Sequence, residues 1–244
     1  MKAHKHFESE LKKYVIEKKG GHGLYRLYLQ DYSERWKWWS IALYTGRLPA
    51  DPYPEIEFEP GLTTSHAAYQ MIERLLEPFH EKRLAFLNLL DHLLFHFGDP
   101  SVTDISKIPE EQKRHFRNTI DLRTFFKFPG DLWGHYLENN MSKWERQDSA
   151  FFTTPDYICK MMADITIPDS PNNRYLSFND PCSGTMRMGL YASNKGILDI
   201  SAQEIHPTIY KVGLINAWLY LPPSVMPSKE INKFIKEERK RLNI

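Results

Sequence analysis

The chain is short of several things, and each shortage excludes a class of protein. Its two cysteines, Cys159 and Cys182, cannot build a disulfide framework, and their scarcity suits a reducing cytosol. Twelve glycines and 16 prolines in 244 residues are ordinary amounts, which removes collagen-like and low-complexity readings. No apolar run approaches the ~18 residues that a membrane span requires. The opening MKAHKHFESELKK also lacks the apolar stretch of a secretory signal. Neither sign of charge is in excess: 32 Lys and Arg face 31 Asp and Glu. Bulk charge therefore does not hold this chain on nucleic acid, although a local basic patch is compatible with the balance. The expectation is a soluble cytoplasmic protein with no membrane partner.

What is present is enough apolar character for a packed core, 41% of the residues. Residues 1–19 are charged helix formers, ended by Gly20, Gly21 and Gly23. The stretch 25–47 is aromatic and basic, with Trp36, Trp38 and Trp39 beside Arg26, Arg35, Lys37 and Arg47. Such a stretch can stack on nucleobases, or form the aromatic core of a helical domain; core is the favoured reading. LPADPYPEIEFEP (48–60) reads as an irregular connection. Residues 65–97 read as two helices separated at Pro78, and 109–144 as helices broken at Pro129-Gly130. His92 and His96 are four apart on a helix, a spacing open to a metal, but with no third ligand they read as buried histidines.

The pattern changes after residue 150. Tyr175 to Phe178 reads as a strand, Met186 to Ser193 as a helix, Gly196 to Ala202 as a second strand and Pro207 to Leu221 as a second helix. That order begins a parallel α/β sheet. The last sixteen residues, KEINKFIKEERKRLNI, make a basic helix with an apolar stripe, able to lie against the body or to contact phosphates or a partner. The most informative segment is Phe178-Asn-Asp-Pro-Cys-Ser-Gly-Thr-Met-Arg-Met188. A strand running into Asp-Pro-x-x-Gly and then a helix puts a tight turn at the strand's carboxyl end, the edge where ligands bind in open parallel sheets. Gly184 lets backbone approach a ligand closely, and Asp180 offers a carboxylate there. Glu204 follows 24 residues later, one strand–helix–strand step on, where an acid can accept both hydroxyls of a ribose. Spacing alone leaves a nucleoside site and ordinary turn and helix-start residues both open.

These residues carry a family resemblance. DPCSGTMRMGLYA (180–192) resembles motif I of the adenine-N6 DNA methyltransferases, above all the type I modification subunits of restriction–modification systems and their phage and plasmid relatives. Phe152-Thr-Thr-Pro-Asp-Tyr-Ile (152–158) resembles the family's motif X, and Asp131-Leu-Trp-Gly-His-Tyr-Leu-Glu138 the helix before it, with Leu137 where that pattern has Tyr. Gln203-Glu-Ile-His-Pro207 and Asn216-Ala-Trp-Leu-Tyr220 resemble motif II and the helix after it. The resemblance implies S-adenosylmethionine as cofactor. Asp180 and Gly184 would line its amino-acid moiety, Glu204 would hold the ribose hydroxyls, Phe152, Thr154 and Pro155 would close the motif X side, and Pro181 and Ile205 would belong to the same cofactor site. It implies a mainly helical N-terminal domain (1–130) followed by an incomplete Rossmann-like methyltransferase domain (131–244).

Two departures qualify that expectation. Met186 replaces a family glycine, beside the expected methionine tail of the cofactor, where it could fill the site. The catalytic Asn/Asp-Pro-Pro-Tyr/Phe is absent; Leu221-Pro-Pro-Ser224 and Asp51-Pro-Tyr-Pro54 do not match it. Catalytic residues are therefore unknown, and no methyl transfer by this polypeptide alone is expected. The expected partners are DNA and a protein subunit supplying the missing strands. The alternative is a pseudoenzyme-like scaffold that binds DNA or protein and no longer takes the cofactor.

Overall fold

Helix formers dominate the sequence, and the computed structural model is correspondingly helical. It describes residues 15–17, 20–59, 61, 63–140 and 153–244. Most of the charged segment expected as a helix over 1–19 falls outside that set, as does Phe152. The described elements begin with α1 (Arg26–Tyr32), α2 (Glu34–Thr45), α3 (Ala67–Leu76), α4 (Lys82–Phe97), α5 (Glu110–Thr119), α6 (Leu122–Lys127) and α7 (Leu132–Asn140). After α8 (Asp156–Thr166) and a 3-10 turn, Pro171–Tyr175, come β1 (Ser177–Asp180), α9 (Arg187–Asn194), β2 (Asp199–Ala202) and α10 (Pro207–Tyr220). A short α11 (Pro222–Val225) and a terminal α12 (Lys229–Leu242) complete the chain.

Local chemistry sets many of these boundaries. The Ser33 side chain accepts the Trp36 N–H to start α2. Gly98, at φ 81°, ends α4 in a left-handed residue, and the Asp99 N–H returns to the Leu94 carbonyl. Prolines keep 51–59 free of helix and strand.

The expected Rossmann-like domain is not what forms. Among the described residues there is one sheet of two strands, β1 and β2, and everything packed around it is helical. The physical reason lies in the segments beyond β2. Pro207–Tyr220 and Lys229–Leu242 are helix formers with helical patterning, and the alternating stretch around Ile56 and Phe58, set between Pro54 and Pro60, joins no sheet among the described residues. The pair is instead covered by helices, and one large apolar cluster draws buried residues from Tyr25 to Leu221, with a second, smaller one joining Trp38, Trp39, Tyr53 and Leu198 to Ile231 and Ile235. The boundary expected at 130/131 lies inside the large cluster.

The aromatic stretch is core. Trp36 stacks on Trp218 at 5.8 Å between ring centres, and Phe97 stacks on Trp218 at 5.9 Å. The indole N–H of Trp36 donates to the Trp218 carbonyl at 2.8 Å, that of Trp39 to Met226 at 2.9 Å, and that of Trp218 to Asp99 Oδ2 at 2.7 Å. Arg35 is fully buried and ties α2 to the C-terminal half. Its guanidinium donates to the Pro54 carbonyl (2.7 Å), Ser193 Oγ (2.6 Å), the Tyr220 carbonyl (3.0 Å) and the Asn194 side chain. The Tyr220 carbonyl is at the carboxyl end of α10, so the negative end of that helix faces the charge.

Candidate functional site

The two strands run parallel in the register Ser177↔Asp199 to Asp180↔Ala202, so their carboxyl ends share one edge. The pairing continues into the loops. Gln203 N–H donates to the Asp180 carbonyl and Ser183 N–H to the Gln203 carbonyl, both at 2.9 Å. Met186 N–H returns to the Ser183 carbonyl at 2.9 Å, which folds 183–186 into a tight turn before α9. Gly184 takes φ 54° in that turn, a left-handed conformation that glycine adopts without penalty. A Cβ added there would meet no protein atom within 4 Å; it would project into open space.

That space belongs to a cavity of about 460 Å³. Asp180, Pro181, Gly184, Glu204, Ile205 and Thr154 all line it, so six of the eight expected site residues converge. Pro155 opens α8 next to the lining residue Thr154 without lining the cavity itself, and Phe152 lies outside the described residues. Glu204 latches the turn: its Oε2 accepts the Gly184 N–H at 3.1 Å and its Oε1 the His206 N–H at 2.8 Å. Each oxygen keeps acceptor capacity after one such bond. Asp180 Oδ1 accepts the Cys182 N–H at 3.1 Å, and Ile205 stands 96% exposed at the rim.

Beneath the turn lies a buried polar network whose role sequence reasoning missed. Asp131, wholly buried before α7, accepts the Gly134 N–H at 2.9 Å, the Asn216 side chain at 2.7 Å and the Thr185 hydroxyl. Arg187 pairs with the same carboxylate at 2.8 Å and donates to the Thr154 carbonyl at 2.7 Å. Asp156 takes a bond from His135 at 3.1 Å and one from the Tyr191 hydroxyl at 3.3 Å. Burial works against the Asp156 charge, yet the His135 bond and the Arg187 charge outweigh it and hold the carboxyl below its usual range. Arg187 is likewise opposed by burial and held charged by Asp131 and Asp156, which raises its pKa. One network thus joins α7, α8, α9 and α10 to the turn. The available signal was the Asp131-x-x-Gly134 pattern itself. The Gly134 Cβ position lies 2.1 Å from Asp131 Oδ2, so glycine there leaves room for the carboxylate.

Met186 is not where the sequence placed it. It is left-handed at φ 71° and its side chain is buried in the core rather than lining the cavity. It occupies the space left by two glycines: Cβ atoms on Gly189 and Gly213 would each come to 3.1 Å from it. Both cysteines line the cavity, Cys182 exposed and Cys159 buried. Burial pushes the Cys159 thiol up to about 11, so it stays protonated and unreactive near neutrality. Asp51–Pro54 contributes nothing to the lining. His92 and His96 are buried, and His96 Nδ1 donates to the Gly21 carbonyl at 2.8 Å.

The charge of the cavity follows from these contacts. Among the described residues Arg187 is the one lining cation and is already paired with Asp131 and Asp156, which leaves the carboxylates of Asp180 and Glu204 as the charges they offer to a ligand. No model of a known family, no curated protein and no solved structure matches this chain.

Proposed function

We propose that the chain binds S-adenosylmethionine, or a closely similar cationic nucleoside, in the cavity beyond β1 and β2, and that it does not by itself transfer the methyl group. The observation that carries this reading is the convergence of Asp180, Gly184, Glu204 and Ile205 on one cavity whose uncompensated charge, among the described residues, is negative. A nucleotide phosphate would meet two carboxylates there, whereas a sulfonium and an ammonium group are complementary to them. Gly184 leaves space for a close approach, Glu204 offers acceptors for ribose hydroxyls, and Ile205 offers an apolar surface for the base. Bound, the cofactor would present an electrophilic methyl group. The chain's own residues orient it, and none of them forms the polar–Pro–Pro–aromatic set that would hold an adenine amino group in line.

Calorimetric titration of the full chain with S-adenosylmethionine, and with ATP as the contrasting ligand, tests the reading. Saturable binding of the first and none of the second is expected. Glu204→Gln should weaken binding about tenfold or more, the scale of a charge-assisted hydrogen bond lost. Absence of binding to the folded protein, or tighter binding of ATP, would overturn it. Labelled methyl transfer to unmethylated DNA would refute the non-catalytic half.

A further inference from the structure

The last turns of α4 carry a histidine cluster that the cavity does not use. His92 and His96 are buried one turn apart, with ring centres separated by 4.3 Å. His96 Nδ1 donates to the Gly21 carbonyl at 2.8 Å, so its Nε2 is the acceptor nitrogen. That Nε2, His92 Nδ1 and His22 Nε2 are buried nitrogens with no hydrogen-bond partner among the described residues. His92 Nε2 faces the Tyr25 hydroxyl at 3.5 Å. An imidazolium carries N–H groups on both nitrogens, so charging either ring of the pair creates a buried donor with nothing to accept it. The surroundings offer no counter-charge. His22 and Tyr25 face the pair from the segment before α1, and Arg117 and Lys113 from α5. The nearby acids are engaged elsewhere: Asp91 is paired with Lys211 of α10 at 2.6 Å, and Asp99 accepts the Trp218 indole and the Ser101 hydroxyl. What covers the pair is a single pass of chain. Residues 20–25 cross the end of α4, where the Gly23 N–H donates to the Phe95 carbonyl at 3.0 Å and the Tyr25 N–H to the His96 carbonyl at 2.7 Å. The Tyr25 ring lies 4.8 Å from that of His96, and a Cβ on Gly21 would stand 2.8 Å from His96 Cε1.

We infer that residues 20–25 are a proton-released latch, which seals the His92–His96 pair at neutral pH and lifts from the end of α4 in acid, so that the pair takes up protons in water. The direction follows from linkage. Sealed, both rings are held below the ordinary histidine range, chiefly by burial. Lifted, a solvated ring titrates near the ordinary ~6.5. The lifted form therefore binds the extra proton, and its share rises as pH falls below that value. Between pH 7 and pH 5 the opening constant rises about 20-fold for each histidine freed. Lifting breaks only the bonds of one short segment and leaves the packing of α4 on α10 in place, so it precedes global unfolding. The inference is independent of what the cavity binds.

Hydrogen exchange of the full chain between pH 7 and pH 5, corrected for the intrinsic pH dependence of exchange, tests it. The Gly23 and Tyr25 amides report the latch, and amides within α10 report global unfolding. Protection of the first pair should fall at least about 20-fold relative to α10 as the pH drops. His96→Asn keeps a donor for the Gly21 carbonyl but removes the titrating ring, and should take about 20-fold out of that response. Gly21→Ala drives a Cβ into His96 and should open the latch already at pH 7. A wild type whose latch protection stays constant, or falls only in step with α10, overturns the inference whatever the variants do. So does a folded His96→Asn protein that keeps the full pH response.

Discussion

Replacing Gly134 by alanine sets two physical effects against each other. Gly134 lies within α7, where alanine is favoured over glycine by about 1 kcal/mol. Propensity alone therefore predicts stabilisation. Packing predicts the opposite, because the new Cβ would stand 2.1 Å from Asp131 Oδ2, 2.4 Å from Oδ1 and 2.5 Å from Cγ. The carboxylate has to move, and it is wholly buried with Arg187, Asn216, Thr185 and the Gly134 N–H arranged around it. Uncoupling a buried ion pair costs about 3–5 kcal/mol. Set against the helix gain, a net loss of about 2–4 kcal/mol remains, or roughly 4–16 °C in Tm for a chain of this size. Thermal unfolding followed by circular dichroism reads it directly. The same substitution in an Asp131→Ala background has no carboxylate to meet and should raise stability by about 1 kcal/mol, the propensity term alone. A Gly134→Ala protein as stable as wild type, or a substitution whose effect keeps its sign in both backgrounds, would refute the assignment of Asp131 as the centre of the network.

Further outcomes follow from the same contacts. Met186→Gly relieves a left-handed residue, worth about 1–2 kcal/mol, but empties a core position whose loss costs about 2–5. Urea unfolding should show a net loss within about 0–4 kcal/mol. Affinity for S-adenosylmethionine should stay within about twofold, because the side chain does not line the cavity; a gain of tenfold would place Met186 in the site after all. Burial holds His92 at about 2 and His96 at about 4, both below the ordinary histidine range. The unfolded chain therefore binds more protons than the folded one below about pH 6.5, and stability falls as pH drops through that point towards the folded values. Each histidine contributes up to about 1.4 kcal/mol per pH unit in that window. Urea midpoints between pH 7 and pH 5 check this, and a flat profile there would contradict the buried neutral state.

Much of the fold was legible along the chain, for identifiable reasons. The expected break at Pro78 falls between α3 and α4, and Gly98-Asp99-Pro100 does end a helix, because proline and left-handed glycine act through their own backbones. The strand–helix–strand–helix order after residue 170 was legible from alternating apolar runs, and it brought Asp180 and Glu204 to one edge. The extent of the sheet was not legible from the motifs. They fix how one parallel pair begins, and they say nothing of whether further strands join it.

What the sequence determined by itself was local: element positions, the tight turn at Gly184, and the carboxylates that one crossover step brings together. The tertiary structure alone decided the rest. It sent Met186 into the space beside Gly189 and Gly213 rather than into the cavity, and it spent Trp36, Trp38 and Trp39 on the core. It also gathered Asp131, Asp156, Thr185, Arg187 and Asn216 from four helices and a turn into one network. The reason is the same in each case. A buried charge or a large side chain is stable only against partners distant in sequence, and no local pattern specifies which distant residues will be there.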